Sequence, residues 1–298
     1  MHRLLVPSEQ LASDSPVLPK EAANHLKVLR PKDGEEIELF DGSGKSRRFS
    51  VEGGGKNFRL AALSPVCTAP RAPWSLTLFA CVTKGSRWDW TIEKATELGV
   101  TRIVPVVSAR TIVRIGADER EAKRARWIRI AEDAARQSDA KWIPEIHEPV
   151  SFAESLPLVR ETTCFVGALT NPPPRSLLKA LIDLQQTASG TPDSHLPSAV
   201  ASERRPYQFP VPHSLGTRFA RRVCFPMGRK PPQGAVTFPD SLSICVGPEG
   251  DFSPEELAAL IKIATPVSFG STILRAETAA IYGVSVLKSF LDAAYSTP

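Results

Sequence analysis

From Ser75 onward, short and strongly apolar runs alternate with longer segments of helical character, and no other property of the chain limits its fold as much. The runs are SLTLFACV, RIVPVV, TCFVGA, LSICVG and PVSFG; the helical segments lie near Trp88 to Leu98, Asp118 to Arg136, Arg175 to Gln186 and Pro254 to Ile263. A half-exposed strand alternates apolar with polar residues. These runs do not, so both of their faces must be covered. Strand and helix in alternation then predict an α/β fold with a mainly parallel sheet between helical layers. Ligands of such sheets bind beyond the carboxyl ends of the strands. That rule points to VGPEG and FGSTILR, each of which follows a predicted strand.

The first 70 or so residues obey a different pattern. HRLLV, EEIELF and RRFSVE read as strands, DGSGKS carries the Asp-Gly signal of a hairpin turn, and Glu21 to Arg30 reads as one helix ending before Pro31. SPVCTAPRAPW, with three prolines, reads as a linker. The predicted organisation is a small β module over 1–72 and a larger α/β domain over 73–298, the latter interrupted by an insertion at 187–240. The insertion holds nine prolines, seven Lys or Arg and three acidic residues. Its +4 accounts for most of the chain's net +5. It reads as a loosely packed loop, with a basic extension that touches RNA phosphates as the alternative. Nucleic acid is therefore a plausible partner that the total charge does not by itself demand.

Several function classes lose their support when spacing is checked. DGSGKS resembles the end of a phosphate-binding P-loop, but Leu39 stands where that motif needs glycine, and the stretch lies between strands. No Gly-x-Gly-x-x-Gly follows a strand, and no Gly-x-Ser-x-Gly elbow is present. The five cysteines form no Cys-x-x-Cys pair and the five histidines are dispersed, so no metal site or disulfide framework is expected. The cysteine usage fits a reducing compartment, and no apolar run reaches the length of a signal peptide or membrane span. A cytoplasmic protein is the expectation.

Two glycine-containing turns remain. In SICVGPEGDFSPEEL, Gly247 and Gly250 bracket Pro248 and Glu249. Ser253, Pro254 and Glu256 spell a capping box that starts the next helix. A plain strand-turn-helix connection explains the cap but gives no use for an acid in a buried turn. In FGSTILRAETAAIYG, Arg275, Glu277 and Thr278 stand at the mouth of a helix that is apolar around most of its circumference, which predicts a deep start. An Arg275–Glu277 ion pair, or a dipole-favoured Glu277, is the simple alternative to a functional role.

KGSRWDWTIEKATELGV (Lys84 to Val100), VGPEGDFSPEE (Val246 to Glu256), ILRAETAA (Ile273 to Ala280) and HLKVLRPKDGEEIELFDGSG (His25 to Gly44) occur in one order and spacing. Together they resemble the ribosomal RNA small subunit methyltransferase E family over nearly the whole chain except the insertion. The resemblance implies a small amino-terminal PUA-like β-barrel followed by a SPOUT-type parallel sheet with a carboxy-terminal trefoil knot. It also implies a homodimer that transfers a methyl group from S-adenosylmethionine to N3 of a uridine in small-subunit (16S) rRNA near the decoding site.

By that resemblance, the cofactor-binding set is Gly167, Leu169, Val246, Gly247, Pro248, Glu249, Gly250, Phe269, Gly270, Ile273, Leu274 and Thr278. Arg275 would stabilise the uridine anion or bind its phosphate, Glu277 and Thr278 would orient it, and Glu249 is the candidate base. Arg3, His25, Lys27, Arg30, Lys84 and Arg87 would grip the RNA or the assembled small subunit. The chain departs from the family pattern at Arg136 (usually Glu), Ala140 (usually Arg), Asp251 (usually Gly) and Thr272 (often Arg), places expected to lie near the site. A relative acting on another RNA, or an RNA-binding assembly protein without turnover, are the alternatives.

Overall fold

The computed structural model describes residues 1–54, 57–189 and 239–295. Most of the 187–240 insertion, with Cys224, His195 and His213, lies outside them.

The amino-terminal sheet contains β1 (His2–Leu5), β2 (Glu36–Phe40), β3 (Lys45–Gly54), β4 (Asn57–Ala62) and β5 (Cys67–Thr68), with α1 (Ser8–Ala12) and α2 (Lys20–Leu29) between its first two strands. β1 runs parallel to β2, while β2, β3 and β4 are antiparallel neighbours. β5 lies within the predicted linker and pairs with the start of β3. Ile37 and Leu39 of β2 join Leu4, Leu26, Phe49 and Val51 in one core. The strand period of two turns Glu38 and Phe40 to the opposite face.

The second sheet holds β6 (Ser75–Cys81), β7 (Arg102–Val107), β8 (Glu145–Ile146), β9 (Val150–Ser151), β10 (Thr163–Gly167), β11 (Ser241–Val246) and β12 (Thr265–Val267). Its helices are α3 (Ser86–Glu97), α4 (Arg120–Gln137), α5 (Phe152–Arg160), α6 (Leu177–Ser189), α7 (Pro254–Leu260) and α8 (Ala276–Tyr295). Every pairing in this sheet is parallel, in the order β12-β10-β11-β6-β7-β8, with β9 also beside β7. One face packs against α3, α4, α6 and α8 through residues such as Leu78, Ile92, Trp127, Leu181 and Leu287. The other packs against α5 and α7 through Phe79, Val104, Val159 and Leu260. Coverage on both faces explains why these strands read as unbroken apolar runs. Cys164 and Cys245, far apart in sequence, are free thiols on neighbouring strands with sulfurs 3.4 Å apart.

The two sheets meet through the turn that resembled a P-loop. Gly44 N donates to Lys141 O and Ile143 N donates to Gly42 O, each at 2.9 Å, while Ser43 bridges Trp142. Gly44 has φ +92°, and a Cβ there would fall on the Trp142 indole. Glycine is required by conformation and by space, so DGSGKS is a docking turn.

Arg3 completes this junction, which corrects its expected place on an RNA surface. It is 7% exposed. Its Nε donates to Glu38 Oε2 at 2.7 Å, and its terminal nitrogens donate to the carbonyls of Ala135 and Ala140 at the end of α4. Its guanidinium stacks on Phe40. A guanidinium engaged on this many sides has no face left for a phosphate. The departures at Arg136 and Ala140 belong to the same junction, since both carbonyls accept from Arg3. Within one chain they lie at the α4–β1 contact and line no part of the cavity described below.

Candidate active site

The carboxyl ends of β12, β10 and β11 lie side by side, so the loops that leave them converge. Between these loops is a cavity of about 260 Å³. Its walls include Gly167 and Leu169 after β10, Val246, Gly247, Pro248 and Glu249 after β11, and Phe269, Gly270, Ile273 and Leu274 after β12. The predicted ligand loops are thus brought together by adjacent parallel strands. Gly167 is needed for space, because a Cβ there would enter the Phe269 ring, which packs on Tyr282. Ile273 is 81% exposed, an apolar side chain at the rim with little protein covering it.

Three predicted residues stand outside the lining: Gly250, Glu277 and Thr278. Gly250 O instead accepts from Arg110 Nη1 at 2.8 Å, and Arg110 also reaches Phe252 O at 3.4 Å. Arg110, in the loop after β7, was not among the expected site residues. The rule that directs attention to strand ends applies to RIVPVV as well, and was the signal available for finding it.

The turn itself closes through Asp251 N donating to Pro248 O at 2.9 Å. Asp251 adopts φ +58°, a left-handed conformation that explains why glycine suits this position. Its own Oδ1 accepts from Phe252 N at 2.7 Å and supports the conformation. Asp251 also lines the cavity, as do Ala168 and Thr272, which fall at or within the expected loops, and Ser268, Ala276 and Ala279, which were not expected. Beyond the turn, Ser253 and Glu256 form the expected capping box. The other oxygen of Glu256 accepts from Ala109 N at 2.8 Å, so one acid caps α7 and fixes the Arg110 loop.

The mouth of α8 differs from expectation. Its buried residues, among them Ala276, Ala279, Ala280, Gly283 and Leu287, follow one helical stripe toward the sheet. Arg275 and Thr278 fall off that stripe and are exposed. Arg275 lines the cavity and makes no ion pair or side-chain hydrogen bond with another described residue. Glu277 does not pair with Arg275. Its Oε1 lies 3.9 Å from Arg87 Nε, and Arg87 Nη1 donates to Glu249 Oε1 at 3.2 Å. Arg87 therefore joins two acids from separate loops.

Of the other cations expected to meet RNA, Lys84 is exposed beyond β6, and Lys27 and Arg30 are exposed on and just after α2. Partial burial and the neighbouring Arg136 push the His25 imidazole below its ordinary value. These residues lie on two different elements. The cavity combines two acids, one unpaired guanidinium and a mainly apolar lining, a set suited to an organic ligand with a cationic centre.

The fold and this cavity define an α/β protein with a cavity between strand-end loops at the carboxyl edge of a parallel sheet, joined to a β module. Residues 70–189 and 221–288 match the family model of an RNA methyltransferase domain, and residues 18–60 match that of an RNA methyltransferase PUA domain. The chain belongs to this family of RNA methyltransferases, in agreement with the motifs that resemble ribosomal RNA small subunit methyltransferase E. Proteins of that name from Synechocystis and Bacillus subtilis are 25% and 24% identical to it. The first alignment covers 98% of this chain and 78% of the relative, the second 90% and 87%. The structure of a ribosomal RNA small subunit methyltransferase E from Neisseria gonorrhoeae, bound to S-adenosyl methionine, superposes with TM-score 0.69 at 24% identity over 97% of each chain. A Legionella pneumophila protein with bound cofactor SAM superposes with TM-score 0.66 at 25% identity, covering 98% of this chain and 97% of that one.

Proposed function

We propose that this chain is an S-adenosylmethionine-dependent methyltransferase acting on N3 of a uridine in small-subunit (16S) rRNA near the decoding site. The observation that carries the reading is the convergence of three strand-end loops on one cavity that has Glu249 and Arg275 in its walls. The cavity fits the cofactor by its construction: Gly167 leaves the space a side chain would fill, Leu169, Val246, Ile273 and Leu274 offer apolar contact, and Glu249 and Asp251 face a cationic centre. Two relatives hold the same cofactor. When bound, it supplies an electrophilic methyl group.

The residues of the chain then have to prepare the nucleophile. N3 of uracil carries a proton and lies on the pairing edge, so the base must be taken out of any helix before it reacts. Glu249 would accept the N3 proton, freeing the nitrogen electron pair to take the methyl group that the cofactor would supply, with the neutral thioether as leaving group. Arg275, unpaired and at the rim, holds the negative charge that develops on the uracil oxygen or binds the adjacent phosphate. With a strong electrophile already present, holding the groups in line supplies much of the rate.

The wider arrangement follows the same reading. Residues 1–72 form a PUA-like β-barrel that grips RNA with His25, Lys27 and Arg30, assisted by Lys84, and residues 73–298 form the methyltransferase domain. β12 lies outside β10 while α8 returns across β11 and β6, a path that accords with a trefoil knot. A homodimer covers the exposed Ile273 and Leu169, and the working compartment is the cytoplasm.

Calorimetry with S-adenosylmethionine tests the cofactor, with no heat of binding at near-millimolar concentration as the result that defeats the reading. Mass spectrometry of rRNA from a strain lacking the protein tests the target. The expected result is loss of N3-methyluridine; an unchanged level refutes the assignment.

A further inference from the structure

We propose that Arg87 is a positioning residue for Glu249, holding that carboxylate at the cavity wall with Glu277 as its own buried anchor. The inference rests on the methyltransferase reading above and deepens it.

Arg87 lies in the first turn of α3, where the positive end of the helix dipole disfavours a cation. Anions from elsewhere must compensate, and two do. Arg87 Nη1 donates to Glu249 Oε1 at 3.2 Å, and Arg87 Nε lies 3.9 Å from Glu277 Oε1. The three side chains come from the first turn of α3, the turn after β11 and the start of α8, so one guanidinium links three chain segments at the carboxyl edge of the sheet.

The two acids are not equivalent. Glu277 has a side chain only 12% exposed, and its Oε2 is sealed from water with no hydrogen-bond partner. A carboxylate buried in this way needs its counter-ion. Glu249 is more open and lines the cavity, whereas Glu277 does not. The order is therefore anchor, cation, wall. Arg87 engages one Glu249 oxygen and leaves the second for the N3 proton.

Charge argues against the alternative role, a phosphate contact. One guanidinium and two carboxylates sum to −1, and an anionic cluster does not attract an RNA backbone. The exposed cation better placed for that task is Lys84, three residues earlier.

The test measures methyl transfer to small-subunit rRNA from S-adenosylmethionine by the full chain, with a thermal melt for every variant. Arg87→Ala strands Glu277, so Arg87→Ala/Glu277→Gln, which removes the buried charge with its counter-ion, is made beside it. The expected result is a kcat about 10 to 100-fold lower in both, a cofactor KM within about twofold, and no further loss when Arg87→Ala is added to Glu249→Gln. RNA affinity and its salt dependence stay as in the wild type. Losses that add in Arg87→Ala/Glu249→Gln overturn the proposal, as does unchanged kcat in the variants that fold. A salt slope reduced by about one overturns it in favour of a phosphate contact. If the wild type transfers no methyl group, the methyltransferase reading fails and this inference fails with it; additivity in an active wild type removes the inference alone.

Discussion

Arg3 Nε donates to Glu38 Oε2 at 2.7 Å in a contact that both side chains bury, and Lys141 Nζ approaches the other Glu38 oxygen to 2.6 Å. The cluster joins the amino-terminal sheet to the segment after α4. Glu38 keeps Lys141 when Arg3 is removed, and Arg3 keeps Asp139 Oδ1 at 3.2 Å when Glu38 is removed. Arg3→Ala or Glu38→Ala should therefore each weaken the buried cluster without stranding a charge and lower stability by about 2 kcal/mol. Chemical denaturation of the two variants and the wild type measures it. A loss below about 1 kcal/mol would mean that the remaining partner, Lys141 or Asp139, compensates for the one removed.

The same carboxylate sets a pH dependence. Burial raises the Glu38 proton affinity, but hydrogen bonding and charge from Lys141 and Arg3 together outweigh it and hold the group below its ordinary value. With the folded value depressed, the stabilisation is complete above the ordinary glutamate range and disappears as pH falls through the folded value. Glu38→Gln should therefore differ from wild type at neutral pH, and the gap should narrow on acidification to about pH 3. A gap independent of pH rules out ionisation as its source.

Gly44 tests the junction without a charge. Alanine there meets both a left-handed backbone and the Trp142 ring, so Gly44→Ala should cost at least about 1–2 kcal/mol from conformation alone. Trp142 fluorescence should change at the same time. A melt unchanged from wild type would show that the turn shifts freely.

How much of this was legible beforehand differs from one residue to the next. The five apolar runs of the second domain announced its sheet because burial on both faces leaves a mark on every residue of a strand. Two of the cavity loops followed from those strands by a general rule, and the third, at Gly167 to Leu169, came from the family resemblance. α5 was missed although Ser151 and Glu154 form a capping box, because Pro157 interrupts the segment. Arg3 was misread for a different reason. An isolated arginine looks the same in sequence whether it meets a phosphate or a carboxylate far along the chain, and only the fold brings Arg3 to Glu38 and to the end of α4. Thr278 lies outside the cavity lining for a reason of phase: the helix is legible, but which stripe of it is buried depends on where the sheet lies.

Gly167→Ala isolates cofactor binding from chemistry. The added methyl group enters the Phe269 ring and forces it toward the cavity or against Tyr282, with which it packs at a centroid distance of 5.6 Å. S-adenosylmethionine affinity by calorimetry should fall at least about tenfold, equivalent to about 1.4 kcal/mol. RNA affinity should hold. Unchanged cofactor affinity would place the binding site elsewhere.

Arg275 offers the sharpest separation of stability from activity. It is exposed, lines the cavity and pairs with no described residue, so its guanidinium holds nothing in the fold together. Arg275→Ala should leave stability within about 0.5 kcal/mol, as for other surface substitutions. If the guanidinium holds the charge that develops on uracil, kcat should drop by about 100 to 1,000-fold, the usual cost of removing one such donor. Arg275→Lys should recover part of that loss, since it keeps the charge but not the planar fork. A purely phosphate-binding role would instead raise the RNA KM, leave kcat near wild type and reduce the salt dependence of binding by about one ion. Full activity in a folded Arg275→Ala variant with normal cofactor affinity would remove Arg275 from the site.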